Sequence, residues 1–230
     1  MPGPATVPAP RWGVGHAFAV LLLAQLTPTL ALVVVGETVA PVPLWAIAVA
    51  QLAGAGAYVG VSTAISRSSG EGPVADFALA VRPRDVAVWV PIGAATQLLG
   101  INGLYSLLNL VADLDAGEAA RDLADRADGA TGAVLLIWIA LVVAPAVEEF
   151  FFRGVLLGAL RRRFDDRVAL GVSAVVFALV HFQLVQAPGL IVIGLVCGVA
   201  LLRTERLGAA WAAHLGFNLT AVVQLMVFSG

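Results

Sequence analysis

TGAVLLIWIALVVAPAVEEFFFRGVLLGAL, residues 131–160, decides how this chain folds. An apolar run from Val134 to Val147 leads directly into Glu148-Glu149-Phe150-Phe151-Phe152-Arg153, after which apolar residues resume as far as Leu160. A stretch this long and this apolar reads as a membrane-spanning helix. A charged side chain at bilayer depth costs on the order of 3 kcal/mol or more. Two carboxylates and a guanidinium inside one span therefore mark a functional site by default.

Composition agrees with that reading. The chain has 230 residues, of which 60% are hydrophobic and 12% charged, with a mean hydropathy of +0.95. Soluble domains carry about 25% charge. The fold class is an all-α polytopic membrane protein, with the lipid bilayer as its first partner. Apolar stretches of roughly 20 residues occur seven times, at Val14–Val35, Leu44–Ile65, Val86–Ala112, Thr131–Leu160, Val168–Phe182, Leu190–Leu202 and Leu207–Phe228. The fifth and sixth are short, which implies little tilt, a locally thinned bilayer or shielding by protein. The Pro-rich start, Met1–Arg11, precedes an apolar run too long for a signal-peptide core and reads as leading into a retained span. Basic residues are few and lack interleaved aromatics, which excludes nucleic-acid binding. The single Cys197 reads as a small buried hydrophobe.

Arginine placement sets the topology. Arg11, then Arg67, Arg82 and Arg84, then Arg161, Arg162, Arg163 and Arg167, then Arg203 and Arg206 all fall on one side of seven spans. The opposite side has only Arg121 and Arg126, within the acidic segment Asp113–Asp128. By the positive-inside rule this is a multi-pass protein of the cell membrane with a cytoplasmic N-terminus and the C-terminus outside.

Two loops carry patterns of their own. Asp113–Gly129 has the spacing of a short amphipathic helix, with Leu114 and Leu123 as anchors, and reads as a solvated packing segment, with a lid over an outer opening as the alternative. Pro73–Asp85 reads as an extended segment leading into the third span, with Asp85 as N-cap. Gln25, Gln51, Gln97, Asn102 and Gln224 read as satisfied packing residues, and Trp12, Trp45, Trp89 and Trp211 as interfacial or packing residues. The pairs Gly56/Gly60, Gly154/Gly158 and Gly194/Gly198 favour close helix contact, within one chain or between copies.

The last four spans carry the chemistry. Glu149 and Arg153 lie four apart on one helical face and can pair. Glu148 is rotated about 100° from Glu149 and faces a different neighbour. Pro145 removes a helix hydrogen bond one turn earlier, which can kink the helix beside the carboxylates. Phe177 and His181, and His214 and Asn218, are also four apart. Counting about 1.5 Å per residue from the Arg-bearing ends puts Glu148, His181 and Asn218 roughly 18–21 Å deep, and Arg153 and His214 roughly 12 Å deep. Residues from three helices thus share one slab of membrane.

Glu148-Glu149-x-x-x-Arg153, Phe177-x-x-x-His181 and His214-x-x-x-Asn218, with Pro145, Phe152 and Gly154 flanking the first, resemble the three motifs of the CPBP intramembrane proteases. That family includes CAAX-prenyl endoproteases and bacteriocin-processing proteins and is also called the Abi family. The resemblance covers residues 131–230 as a catalytic helical core, with residues 1–130 as N-terminal helices and loops. It implies an intramembrane endopeptidase acting on a peptide or membrane-protein substrate. In that reading Glu148 and His181 activate a water, His214 and Asn218 form an oxyanion hole, and Glu149, Arg153 and Phe177 stabilise the site. The family has also been described as metalloprotease. Zinc held by Glu148, His181 and His214 and a metal-free site are both open on spacing alone. A non-hydrolytic membrane protein, either a proton-coupled transporter or a scaffold, is the alternative use of a buried Glu/His/Arg cluster.

Overall fold

A computed structural model describes residues 11–38 and 41–228. Met1–Pro10, most of the Pro-rich start, lie outside the described residues. The described chain is all-α, without strands, and forms nine helices. These are α1 (Val14–Val35), α2 (Leu44–Ser69), α3 (Pro73–Asp76), α4 (Pro83–Leu108), α5 (Glu118–Asp125), α6 (Gly129–Arg161), α7 (Asp166–Leu179), α8 (Ala187–Thr204) and α9 (Leu207–Phe228). Helices α1, α2, α4, α6 and α8 are long and apolar enough to cross a membrane. Helix α9 has 22 residues. Helix α7 is only 14 residues long, beginning before the expected Val168 and stopping at Leu179 rather than Phe182.

Local chemistry explains these boundaries. Asp165 caps α7 by accepting from the backbone N–H of Arg167 at 2.9 Å and of Val168 at 3.1 Å, which satisfies two donors that have no helical partner. The helix cannot continue past His181, because Phe182 has φ 54°, in the left-handed region. Helix α4 starts earlier than expected, at Pro83, the first-turn position that Pro favours. Asp85 is therefore not the N-cap. It sits one turn in and accepts from the Arg82 N–H at 2.9 Å. The segment before it is helical at Pro73–Asp76 and turns at Ala78, which has φ 52°; the Ala78 and Ala80 carbonyls accept from Leu207 and Gly208 N–H at 2.9 Å each.

The Arg-bearing loops gather at one end of the bundle. Arg162 donates to the Trp12 carbonyl at 2.8 Å and lies 3.9 Å from the centre of its ring. Trp12 is thereby buried rather than interfacial. Arg161 pairs with Asp166 and Glu205. Arg206 forks onto Asp85, and that hydrogen bond holds its guanidinium above the ordinary range. Together these contacts tie the ends of α1, α4, α6, α7, α8 and α9.

Close helix contact occurs at only some of the expected glycines. A Cβ at Gly154 would meet Phe77 at 3.1 Å, and one at Gly194 would meet Ala174 at 3.1 Å, whereas Gly56 and Gly60 have nothing within 4 Å. The tightest crossing lies elsewhere. A Cβ at Gly93 of α4 would fall on the Ala213 carbonyl, and one at Gly216 of α9 on the Val90 carbonyl. This crossing fixes the height of α9, and with it His214. The core centres on α6, where Phe151, Phe152, Leu156 and Leu157 are fully enclosed.

Candidate active site

The site begins with a defect in α6. Over Ile139–Val143 the helix widens, with the Ala144 N–H donating five residues back to the Ile139 carbonyl. In that register the next donor, to the Ala140 carbonyl, would be residue 145. Residue 145 is proline and has no N–H. The orphaned Ala140 carbonyl is met instead by Asn218 Nδ2 at 2.8 Å. A second wide stretch, Phe150–Leu157, follows the carboxylates. Within it the Phe152 carbonyl accepts from the Ser173 hydroxyl at 3.0 Å. Such wide turns recur at functional sites.

Glu149 and Arg153 form the expected pair, and both are fully buried. Arg153 Nη1 is 3.1 Å from Glu149 Oε1, although Nη1 makes no aligned hydrogen bond. Arg153 Nη2 donates to the Gly194 carbonyl at 3.1 Å, and its guanidinium lies 4.5 Å from the centre of the Phe177 ring. The aromatic face partly offsets the loss of hydration. The same Glu149 oxygen is 2.7 Å from His214 Nδ1. An ionised carboxylate only accepts, so Nδ1 carries the proton and Nε2 is turned towards Glu148 Oε2, 3.7 Å away.

Glu148 faces a different space, as its rotation from Glu149 required. With His181 it lines a cavity of about 170 Å³ that is also walled by Gln25, Gln51 and Tyr58 of α1 and α2. Here His181 Nε2 is 3.8 Å from Glu148 Oε1, too far for a direct hydrogen bond. His181 lies just beyond α7, and its Nδ1 is 2.7 Å from the Phe177 carbonyl. A carbonyl accepts, so this imidazole also bears its proton on Nδ1 and leaves Nε2 free. Phe177 thus acts twice, through its ring under Arg153 and through its carbonyl on His181.

Zinc would need its donors about 2.0–2.3 Å from one centre. Glu148 lies 3.8 Å from His181 Nε2 and 3.7 Å from His214 Nε2, but among the described residues these three are not a set whose donor atoms all lie within 4.8 Å of one another. The buried trio that does converge, within 4.8 Å, is Glu149, Cys197 and His214. There a cation would stand against the Arg153 guanidinium. Neither set suits a zinc ion as arranged.

The profile described as "Type II CAAX prenyl endopeptidase Rce1-like" matches residues 130–220, which contain all three motifs. Over this segment the chain is similar to the CPBP family. The CPBP segment is also 30% identical over 89 residues to "Putative membrane peptidase YdiL" of Bacillus subtilis (strain 168). That alignment covers 39% of this chain and 36% of the relative. No solved structure matches the chain significantly.

Several residues of the cavity wall lie outside the CPBP segment, and two of them, Gln25 and Tyr58, carry no sequence motif. Gln25 is a wall of the Glu148 cavity rather than ordinary packing, and Tyr58 stands beside it. Their depth was the available signal. Counted from Arg11 and Arg67 at 1.5 Å per residue, Gln25 lies roughly 21 Å and Tyr58 roughly 14 Å deep, within about a turn of Glu148. Gln97 and Gln224 behave as expected of packing residues, bonding each other at 3.1 Å. They line a larger cavity of about 450 Å³ that shares no residue with the Glu148 cavity.

Proposed function

We propose that the protein is an intramembrane endopeptidase that hydrolyses a peptide bond by Glu/His-activated water, without a metal. The observation that carries this reading is one carboxylate facing two imidazole nitrogens, each imidazole being oriented by a hydrogen bond on its far side. A water between Glu148 and His181 Nε2 gives a proton to Glu148 as its oxygen attacks the scissile carbonyl. The C–N bond then breaks, and Glu148 returns the proton to the leaving amine. Products are one carboxylate and one amine. His214 Nε2, when protonated, and the second N–H of Asn218 Nδ2 stabilise the developing oxyanion. Glu149 and Arg153 do not react. They hold His214 by a charge-assisted bond. The substrate is a membrane-associated or lipidated peptide or protein, because the cavity lies within the membrane-spanning part of the bundle and its family includes CAAX-type endopeptidases.

The test is turnover of a quenched fluorescent peptide library, with some members lipidated, by the full chain in nanodiscs. Wild type should cleave at least one member, and Glu148→Gln should lose that cleavage. Equal turnover by both would overturn the reading.

A further inference from the structure

We infer that Gln25 and Tyr58, carried by α1 and α2 outside the CPBP segment, are positioning residues for His181. The inference rests on Glu148 and His181 being the hydrolytic pair. It begins with the carbonyls at the end of α7. A helix end leaves its last four carbonyls without helical donors, and at bilayer depth no bulk water is present to serve them.

The donors can be assigned one by one. The Val176 carbonyl accepts from Val180 N–H at 3.1 Å, that of Ala178 from His181 N–H at 3.3 Å, and that of Leu179 from Phe182 N–H at 3.1 Å. The Phe177 carbonyl takes the His181 ring at 2.7 Å. Val180, directly before His181, is left. No donor in its own turn reaches it, because Phe182 enters the left-handed region and turns the chain away. Gln25 Nε2, from α1, donates to this carbonyl at 3.2 Å.

Gln25 is held in its turn. Its Oε1 accepts from the Tyr58 hydroxyl at 3.2 Å. Tyr58 is buried, with its ring centroid 4.5 Å from that of Phe151 on α6. The relay therefore runs from α6 packing through Tyr58 and Gln25 to the backbone beside His181. It fixes the terminal turn so that the ring keeps Nδ1 on Phe177 and presents Nε2 to Glu148. Both side chains also wall the cavity itself, so their second function is to keep it polar enough for water.

The experiment uses the full chain in nanodiscs with isotopically labelled histidine. There are only three histidines in the sequence, and His16→Gln and His214→Gln assign their signals. In wild type, His181 should report the neutral ring protonated at Nδ1. Gln25→Leu should move it towards the Nε2-protonated form that a free imidazole prefers, while His214 stays unchanged. In the same samples kcat should fall on the order of 10–100-fold, as when an imidazole loses a supporting partner, with KM little altered. An unchanged His181 signal in Gln25→Leu would overturn the inference. If Gln25→Leu does not fold, Tyr58→Phe, which removes one hydroxyl and keeps the ring, carries the test by the same two readouts. Retained turnover in Glu148→Gln would instead sink the hydrolytic reading, and the histidine signal would still decide whether Gln25 and Tyr58 position the ring.

Discussion

Glu149 Oε1 is shared between His214 Nδ1 at 2.7 Å and Arg153 Nη1 at 3.1 Å, with both charged partners of the pair sealed from solvent. One buried carboxylate thus orients an imidazole and neutralises a guanidinium. Removing a single partner of a buried pair leaves an uncompensated charge and costs about 3–5 kcal/mol. Arg153→Met should therefore lower the thermal unfolding midpoint in detergent sharply. Adding Glu149→Gln should recover part of that loss, since a neutral amide oxygen can still accept from His214. A single variant as stable as wild type would show that the pair contributes little.

The α4–α9 crossing makes a prediction about size alone. Alanine at Gly93 or Gly216 must push apart two backbones, because the neighbours are the carbonyls of Ala213 and Val90 rather than mobile side chains. Overpacking costs about 1–3 kcal/mol, and the displaced α9 carries His214. Alanine at Gly56 or Gly60 meets nothing within 4 Å and should be neutral or gain up to about 1 kcal/mol of helix propensity. Unfolding midpoints of the four variants check this. Equal effects at all four would mean that the crossing is looser than described.

Much of this site was legible in the sequence because its signals are local. The spacing of Glu149 and Arg153 puts them on one face, and they meet. Common depth brought Glu148 and His181 together from two helices. What was not legible depended on departures from regular helix. The wide turn before Pro145 assigns Asn218 to a backbone carbonyl, which a count of 3.6 residues per turn does not reveal. The end of α7 depends on the left-handed Phe182, a residue type with no propensity for that conformation. Gly93 and Gly216 form no pattern along the chain, since which faces meet is decided by packing between helices. Gln25 has no motif around it, and its meaning appears only once the Val180 carbonyl is seen to need a donor.

Metal dependence can be separated from carboxylate dependence. Glu148, His181 and His214 do not converge as a metal-binding set, and the trio that does converge faces a guanidinium, so exhaustive chelation should leave peptide turnover unchanged. Elemental analysis of the same active sample should find zinc well below one atom per chain. Activity that chelation abolishes and added zinc restores would require the donors to rearrange around an ion.

The orientation of the bundle follows from the clustering of its arginines at one end, which we propose faces the cytoplasm. Labelling with a membrane-impermeant maleimide in intact cells tests this directly. The native Cys197 has no exposed surface and should remain silent. A cysteine introduced at exposed Arg163, in the α6–α7 loop at the Arg-bearing end, should react only after the membrane is permeabilised. One introduced at exposed Asp122 of α5, in the acidic segment between α4 and α6, should react in intact cells. The reverse pattern would invert the protein and place the Arg-bearing end outside. The distances around Glu148 would be unaffected, but the depth count would then run from the outer surface. A substrate would have to bring its scissile bond to the cavity from the corresponding side.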